Sequence, residues 1–225
     1  MNRLQLCQRF RQEVRISGTG PITTLGQSGE YKKVVDWIDT AYEDILNLHV
    51  DWGFLVTLFS FQTVVGKRDY TPTEAGVPLL GEWKYQNYGD IRCYLIASDE
   101  QRLEYLKWDD FKDVYLIGPS RVTTGRPGVF SIEPDKTMNF DLVPDVIYTI
   151  NGEYYKKPIA MTTDTDEPLF PSQYHMVIVY RAMMFYGADY AAAEKHSHGQ
   201  NEYRKILRKL EQLYLPTYGW GAPLV

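Results

Sequence analysis

SQYHMVIVYRAMMFYGADYAAAEKHSHGQNEYRKILRKLEQLY, residues 172–214, decides the reading of this chain. It is the longest stretch of helical character, and it contains no proline. In its first half Met176, Val179, Tyr180, Met183 and Met184 recur at steps of three and four, which places them on one helical face. In its second half Tyr203, Ile206, Leu207, Leu210, Leu213 and Tyr214 do the same. Two helices are expected. Their junction is expected within 194–200, where His196, Ser197, His198 and Gly199 interrupt the apolar pattern. Ser172, directly after Pro171, is a candidate N-cap, and Pro216 ends the second helix. Two such helices bury their apolar faces only against partners. The other helical patterns of comparable length lie at the opposite end of the chain.

That end reads as two more helices. Residues 2–16 carry Leu4, Cys7, Phe10, Arg11 and Val14 near one face, with Asn2 as a cap. Residues 29–50 carry a wide stripe of Val34, Trp37, Ile38, Ala41, Tyr42, Ile45 and Leu48, with Asp36, Asp39, Glu43 and Asp44 on the wet side. From Phe54 the period changes to two. A strand, a turn at 66–71 and a returning strand fit the first part of this region. Further strands are expected at 91–97, 114–116, 129–133, 139–142 and 146–155, with a helix at 100–111, turns at 125–128 and 134–136, and a turn, bulge or strand end near 151–152. No β–α–β alternation is visible. The fold class predicted is α+β: an α-helical bundle built from both chain ends with an inserted small antiparallel β domain. The boundaries are 1–53 and 172–214 for the bundle, 54–171 for the insertion and 215–225 for an extended C-terminal tail.

Composition narrows the function. A net charge of −5 argues against a general nucleic-acid binder. The 18 tyrosines and 5 tryptophans suit half-buried strand positions and protein contacts. Cys7 and Cys93 are too few for a disulfide framework and fall on apolar positions, so both are expected as buried thiols. No apolar run approaches the ~20 residues a membrane span needs, and the arginine-containing N-terminus is amphipathic rather than a secretory signal.

The search for chemistry returns little. His196 and His198 sit two apart, on different faces of a helix, with no cysteine nearby to complete a zinc site. Asp109, Asp110 and Asp113 are too close in sequence to flank a sugar cleft and read as a solvated face. Asp164, Asp166 and Glu167 lack the glycine hinge and terminal glutamate of a calcium loop. No catalytic residue, cofactor or metal site is expected. Charge is segregated, however: the first and last helices are rich in Arg and Lys, while 99–113 and 135–167 are rich in acid. Head-to-tail pairing of copies can use that asymmetry to set register.

Several segments, taken in order, carry a resemblance. They are LCQRFRQE (6–13), ISGTGP (16–21), GQSGE (26–30), VDWIDTAYE (35–43), DWGFL (51–55), KRDYTP (67–72), TGRP (124–127), HM (175–176), VYRAMM (179–184) and YRK (203–205). The ordered set is far more specific than any member. It resembles the head-to-tail adaptor, or connector, proteins of short-tailed bacteriophages. The resemblance implies a virion structural protein and not an enzyme. It implies a homo-oligomeric ring, a dodecamer, beneath the portal protein. Such a ring extends the DNA channel, lets DNA pass without specific binding and gives the tail nozzle and fibre proteins a docking surface. By the same analogy the C-terminal extension engages the portal, with Leu215, Pro216, Tyr218, Trp220 and Leu224 as the contact candidates. The competing reading is a carbohydrate-binding or hydrolytic tail component acting through the β domain. A row of exposed aromatics or convergent carboxylates there would mark it.

Overall fold

The computed structural model describes residues 1–18, 20–85 and 91–216. It is mixed α+β, with five helices and two sheets among the described residues. It divides into two compact units, Met1–Phe54 with the chain from Pro158 onward, and Leu55–Lys157.

The first unit is helical. Helix α1, Arg3–Val14, begins at Asn2 with the expected cap: the Asn2 carboxamide oxygen accepts from the Gln5 N–H at 2.9 Å, and the Gln5 side chain accepts from the Asn2 N–H at 3.0 Å. Its buried face holds Leu6, Cys7, Phe10 and Val14, but also Arg3 and Arg11. Leu4, expected on this face, is half-buried, and Leu6 takes the core position. Helix α2, Gly29–Asn47, buries Val34, Ile38, Ala41, Tyr42 and Ile45 as predicted. It stops three residues short of the expected end, and Leu48 is exposed. Trp52 folds back there and donates from its indole to the Ile45 carbonyl at 3.3 Å, an oxygen that also accepts the Leu48 N–H at 3.4 Å.

The two C-terminal helices differ from expectation at their junction. A 3-10 turn, Ser172–Tyr174, precedes α4, Met176–Asp189, so Ser172 does not cap the α-helix. Pro171 starts this tight turn, which places Tyr174 and His175 in the core before α-helical bonding begins. The next helix is α5, Ala193–Tyr214. The break lies at 190–192, where Ala191 takes a left-handed φ of 51°. Residues 194–200 are inside α5. Their weak apolar pattern reflects close packing: a Cβ on Gly199 would lie 2.8 Å from the Tyr180 carbonyl oxygen, and one on Gly187 would lie 2.6 Å from His196 Cβ. At Leu215 the chain turns extended, as expected before Pro216.

The second unit holds the strands β1 Val56–Gln62, β2 Asp69–Tyr70, β3 Leu80–Trp83, β4 Arg92–Tyr94, β5 Gln101–Arg102, β6 Glu104–Tyr105, β7 Val129–Ile132, β8 Met138–Phe140 and β9 Thr149–Lys156, with helix α3 at Trp108–Tyr115. One sheet runs β1-β9-β4-β5, and β3 shares with β4 the edge of β9 opposite β1. The other runs β2-β8-β7-β6. All pairs are antiparallel except the two-residue β6–β7 pair. The expected hairpin across 66–71 is not formed: β1 pairs with β9 in one sheet and β2 with β8 in the other. The residues 151–152 lie inside an unbroken β9 rather than at a turn. The expected strand at 91–97 is shorter, because a 3-10 turn follows at Ala97–Asp99.

Residues 100–116 reverse the prediction almost entirely. The expected helix at 100–111 is two short strands followed by the start of α3, and the expected strand at 114–116 is the end of α3. Leu103 and Leu106 have helical spacing, but their N–H groups donate to the carbonyls of Ile91 and Phe130, at 2.9 and 3.0 Å. Tertiary pairing overrides local pattern here. The two sheets share one core, in which Phe59, Trp83, Phe130, Phe140 and Ile150 are buried together.

Candidate functional site

The candidate contact segment begins where α5 ends. Leu215 is half-buried and Pro216 is exposed; Tyr218, Trp220 and Leu224 lie outside the described residues. The root of the segment is held by aromatic packing within the helical unit. The Tyr214 ring meets Phe54 at 5.7 Å and Tyr174 at 6.1 Å, and Trp52 stacks on Phe54 at 5.2 Å. Gly53 allows the approach, since a Cβ there would lie 3.0 Å from the Tyr214 carbonyl oxygen.

The same unit is tied together by two arginines that sequence reasoning left without a role. Arg3, 8% exposed, forms a bidentate pair with Asp39 at 2.9 and 2.5 Å. It also donates to the Thr24 hydroxyl and the Thr162 carbonyl, both at 3.0 Å. The hydrogen bond to Asp39 raises the Arg3 pKa against the opposing effect of burial. Arg181 reaches from α4 to Asp44 of α2 at 2.8 and 3.1 Å and lies 4.7 Å from the Phe185 ring centre. Asp39 and Asp44, assigned above to the wet side of α2, are therefore partners of these arginines. A signal existed for Arg3: it stands at helical spacing from Cys7, Phe10 and Val14.

The acidic segment at 164–166 is engaged by hydrogen bonds within the helical unit. The carbonyls of Asp166 and Asp164 accept the N–H groups of Arg3 and Leu4, at 2.9 and 3.3 Å, which are donors that the first turn of α1 leaves unpaired. The Asp166 carboxylate accepts from the Thr163 hydroxyl and from the Thr163 and Thr162 N–H groups, and these bonds hold it well below the usual carboxylate range. Asp164 is also lowered, by bonds from Thr23 first and Thr24 next. Residues 158–171, placed in the insertion above, thus pack with the helical unit.

The histidines stand apart from one another. Buried His175 bonds the Phe170 carbonyl through Nε2 at 3.0 Å, and burial lowers its pKa. His198 meets the Tyr180 ring edge at 5.9 Å. Among the described residues no group of three or more His, Cys, Asp or Glu is placed to hold a metal ion. Both cysteines are free and buried as expected, and burial pushes the Cys7 thiol up to about 12.

In the β unit, the quoted motifs KRDYTP and TGRP contribute arginines that tie loops. Arg68 donates to the carbonyls of Tyr115 and Asp141, at 3.0 and 2.5 Å. Arg126 donates to those of Cys93 and Asp99, at 2.5 and 2.6 Å, and pairs with the Asp99 carboxylate at 3.2 Å. Among the described residues of this unit no aromatic is exposed, and Tyr94, Trp108, Tyr115 and Tyr155 are half-buried. No row of exposed aromatics therefore presents itself as a sugar platform in that part of the chain.

The described residues form a mixed α+β protein whose helical unit is tied by the Arg3–Asp39 and Arg181–Asp44 ion pairs. No helix among the described residues is long and apolar enough to cross a membrane. The chain belongs to the SU10 adaptor protein family, whose model matches residues 1–222. It is thus a bacteriophage structural protein, a virion adaptor that works among head and tail proteins. No curated protein matches the chain.

Proposed function

We propose that this protein is one subunit of a head-to-tail ring that joins the portal protein to the tail nozzle and fibre proteins and extends the DNA channel. The observation that carries this reading is the family match, which runs through both units rather than one. The ring is dodecameric and acts without turnover. Leu215, Pro216, Tyr218, Trp220 and Leu224 form the portal contact, and aromatic anchors of this type commonly dominate interface energy. Support comes from the root of the segment, fastened at Tyr214 while Pro216 prevents the helix from continuing. DNA passes through without specific binding, consistent with a chain of net charge −5.

The test is the native mass of the portal mixed with this protein, beside the same mixture with a chain lacking residues 216–225. The full chain is expected to add as a ring and the shortened chain to remain free. Failure of both to associate would overturn the adaptor-ring reading. Association of both would remove the contact from residues 216–225 and leave the ring.

A further inference from the structure

One side of helix α5 is exposed among the described residues. The helix packs chiefly on α4, and of its 22 residues only Gly199 and Leu210 are buried. Its open side carries Arg204 and Arg208, one turn apart, beside Lys205 and Lys209, also one turn apart; all four are exposed. Leu213, 65% exposed, continues the lysine row by one further turn. Among the described residues only Lys205 has an ion-pair partner, the neighbouring Glu202 at 2.5 Å. Isolated cations on a helix need no explanation. Four in two adjoining rows, one of which ends in an exposed leucine, form a surface with both charge and apolar character.

Helix α3 carries the counterpart. Asp109 and Asp113 lie one turn apart, beside Asp110, whose row continues one turn on to Val114. The Asp109 side chain is 91% exposed and Val114 is 52% exposed. Phe111 is the buried anchor that turns the acidic rows outward. Lys112 pairs with Asp109 at 2.8 Å, which lowers the Asp109 pKa and leaves Asp110 and Asp113 without an ion-pair partner among the described residues. On both helices like charges repeat at one turn, a rise of about 5–6 Å, and an exposed aliphatic side chain stands one turn beyond one of the charges, Leu213 beyond Lys209 and Val114 beyond Asp110. The charges are opposite, and each face includes an exposed aliphatic side chain.

We infer that the open face of α5 is a docking surface for a second copy of this chain, and that the acidic face of α3 is what it receives. α5 belongs to the helical unit and α3 to the β unit, so the contact joins two different patches. Head-to-tail pairing of that kind is what a closed ring requires. The inference deepens the ring reading by naming an interface, and it rests on that reading. An alternative occupant is a nucleic-acid backbone. It is disfavoured because Leu213 extends the cationic row with an apolar group, and because the chain as a whole is acidic.

The experiment measures self-association of the full chain by sedimentation velocity, alone and with the portal, at low and high salt. Two charge-reversed variants are compared, one with Arg204→Glu, Lys205→Glu, Arg208→Glu and Lys209→Glu, the other with Asp109→Lys, Asp110→Lys and Asp113→Lys. Each alone is expected to associate at least about tenfold more weakly than the wild type, and a mixture of the two to regain association. Far-UV circular dichroism checks the folds. A neutral set, Asp109→Asn with Asp110→Asn and Asp113→Asn, keeps the test valid if a reversal misfolds, and it should weaken association in the same direction. If the wild type forms rings and the reversed variants form them equally well, the interface inference falls while the ring reading stands. If the wild type forms no ring even with the portal, both fall. If the α5 variant keeps self-association but loses binding to a double-stranded DNA probe, the occupant is nucleic acid and the inference is overturned.

Discussion

Arg3 is tolerated at 8% exposure because all three guanidinium nitrogens donate to acceptors, to Asp39, Thr24 and the Thr162 carbonyl. Burying a charge is costly, and removing one partner of such a pair generally costs about 3–5 kcal/mol because the other is left uncompensated. Asp39 retains 26% of its side-chain exposure, so water softens the loss. Arg3→Ala is therefore expected at the lower end, about 3 kcal/mol, measured as a shift in the urea midpoint at unchanged slope. Arg3→Lys should recover less than half of that, because an ammonium cannot reproduce the bidentate fork or reach Thr24 and Thr162 together. A loss below about 1 kcal/mol would mean the pair behaves as an ordinary surface bridge. Arg3 was legible in position and illegible in partner. Its spacing put it on the buried face, but nothing in the local sequence points 36 residues away to Asp39. The same gap explains Asp44 and Arg181, separated by 137 residues. Polar periodicity shows which face a charge occupies; only tertiary structure shows what neutralises it.

Elements with strong periodicity were the readable ones. α1, α2 and the proline-bounded end of α5 follow from apolar spacing and caps, since those forces act within a few residues. Short strands were not readable: Leu103 and Leu106 mimic a helix, and only their bonds to Ile91 and Phe130 fix them as extended. The glycines of the α4–α5 pair misled in the other direction. Gly199 looks like a break because it is a poor helix former, yet it sits inside α5 against the Tyr180 carbonyl oxygen. This gives a sign test. In an open helix interior, Gly→Ala stabilises by roughly 1 kcal/mol. Here the added Cβ would lie 2.8 Å from that oxygen and 3.1 Å from Met183 Cβ, so the helices must move apart. Gly199→Ala is expected to destabilise instead, by about 1–3 kcal/mol, read as a lower thermal midpoint. A raised midpoint would show that α5 does not sit this close to α4.

At the scale of the whole molecule, chain topology makes a claim about independence. The chain enters the β unit at Leu55 and leaves it at Lys157, and Val56 is the register partner of Tyr155. Antiparallel partners lie about 5 Å apart, so the unit begins and ends at nearly the same point. This is the geometry in which an insertion leaves its host undisturbed. The β unit also has its own core, from Phe59 and Trp83 through Phe140 and Ile150. Replacing residues 55–157 by a linker of about eight Gly and Ser residues should therefore leave a helical protein that unfolds cooperatively. Residues 55–157 expressed alone should also unfold in a single transition. The energetics sharpen the test. If the β unit stays folded while the helices unfold, its joined ends already act as a short loop, and excision changes helical-unit stability by less than about 1 kcal/mol. If it unfolds with them, shortening a loop of roughly 100 residues to about eight removes close to four doublings of length, stabilising the helical unit by about 2 kcal/mol. Denaturant titrations of the full chain and the excised chain, followed by far-UV circular dichroism, separate the two. A helical remnant without a cooperative transition would mean that the terminal helices depend on the β unit for their fold, contrary to the independence that the β1–β9 register implies.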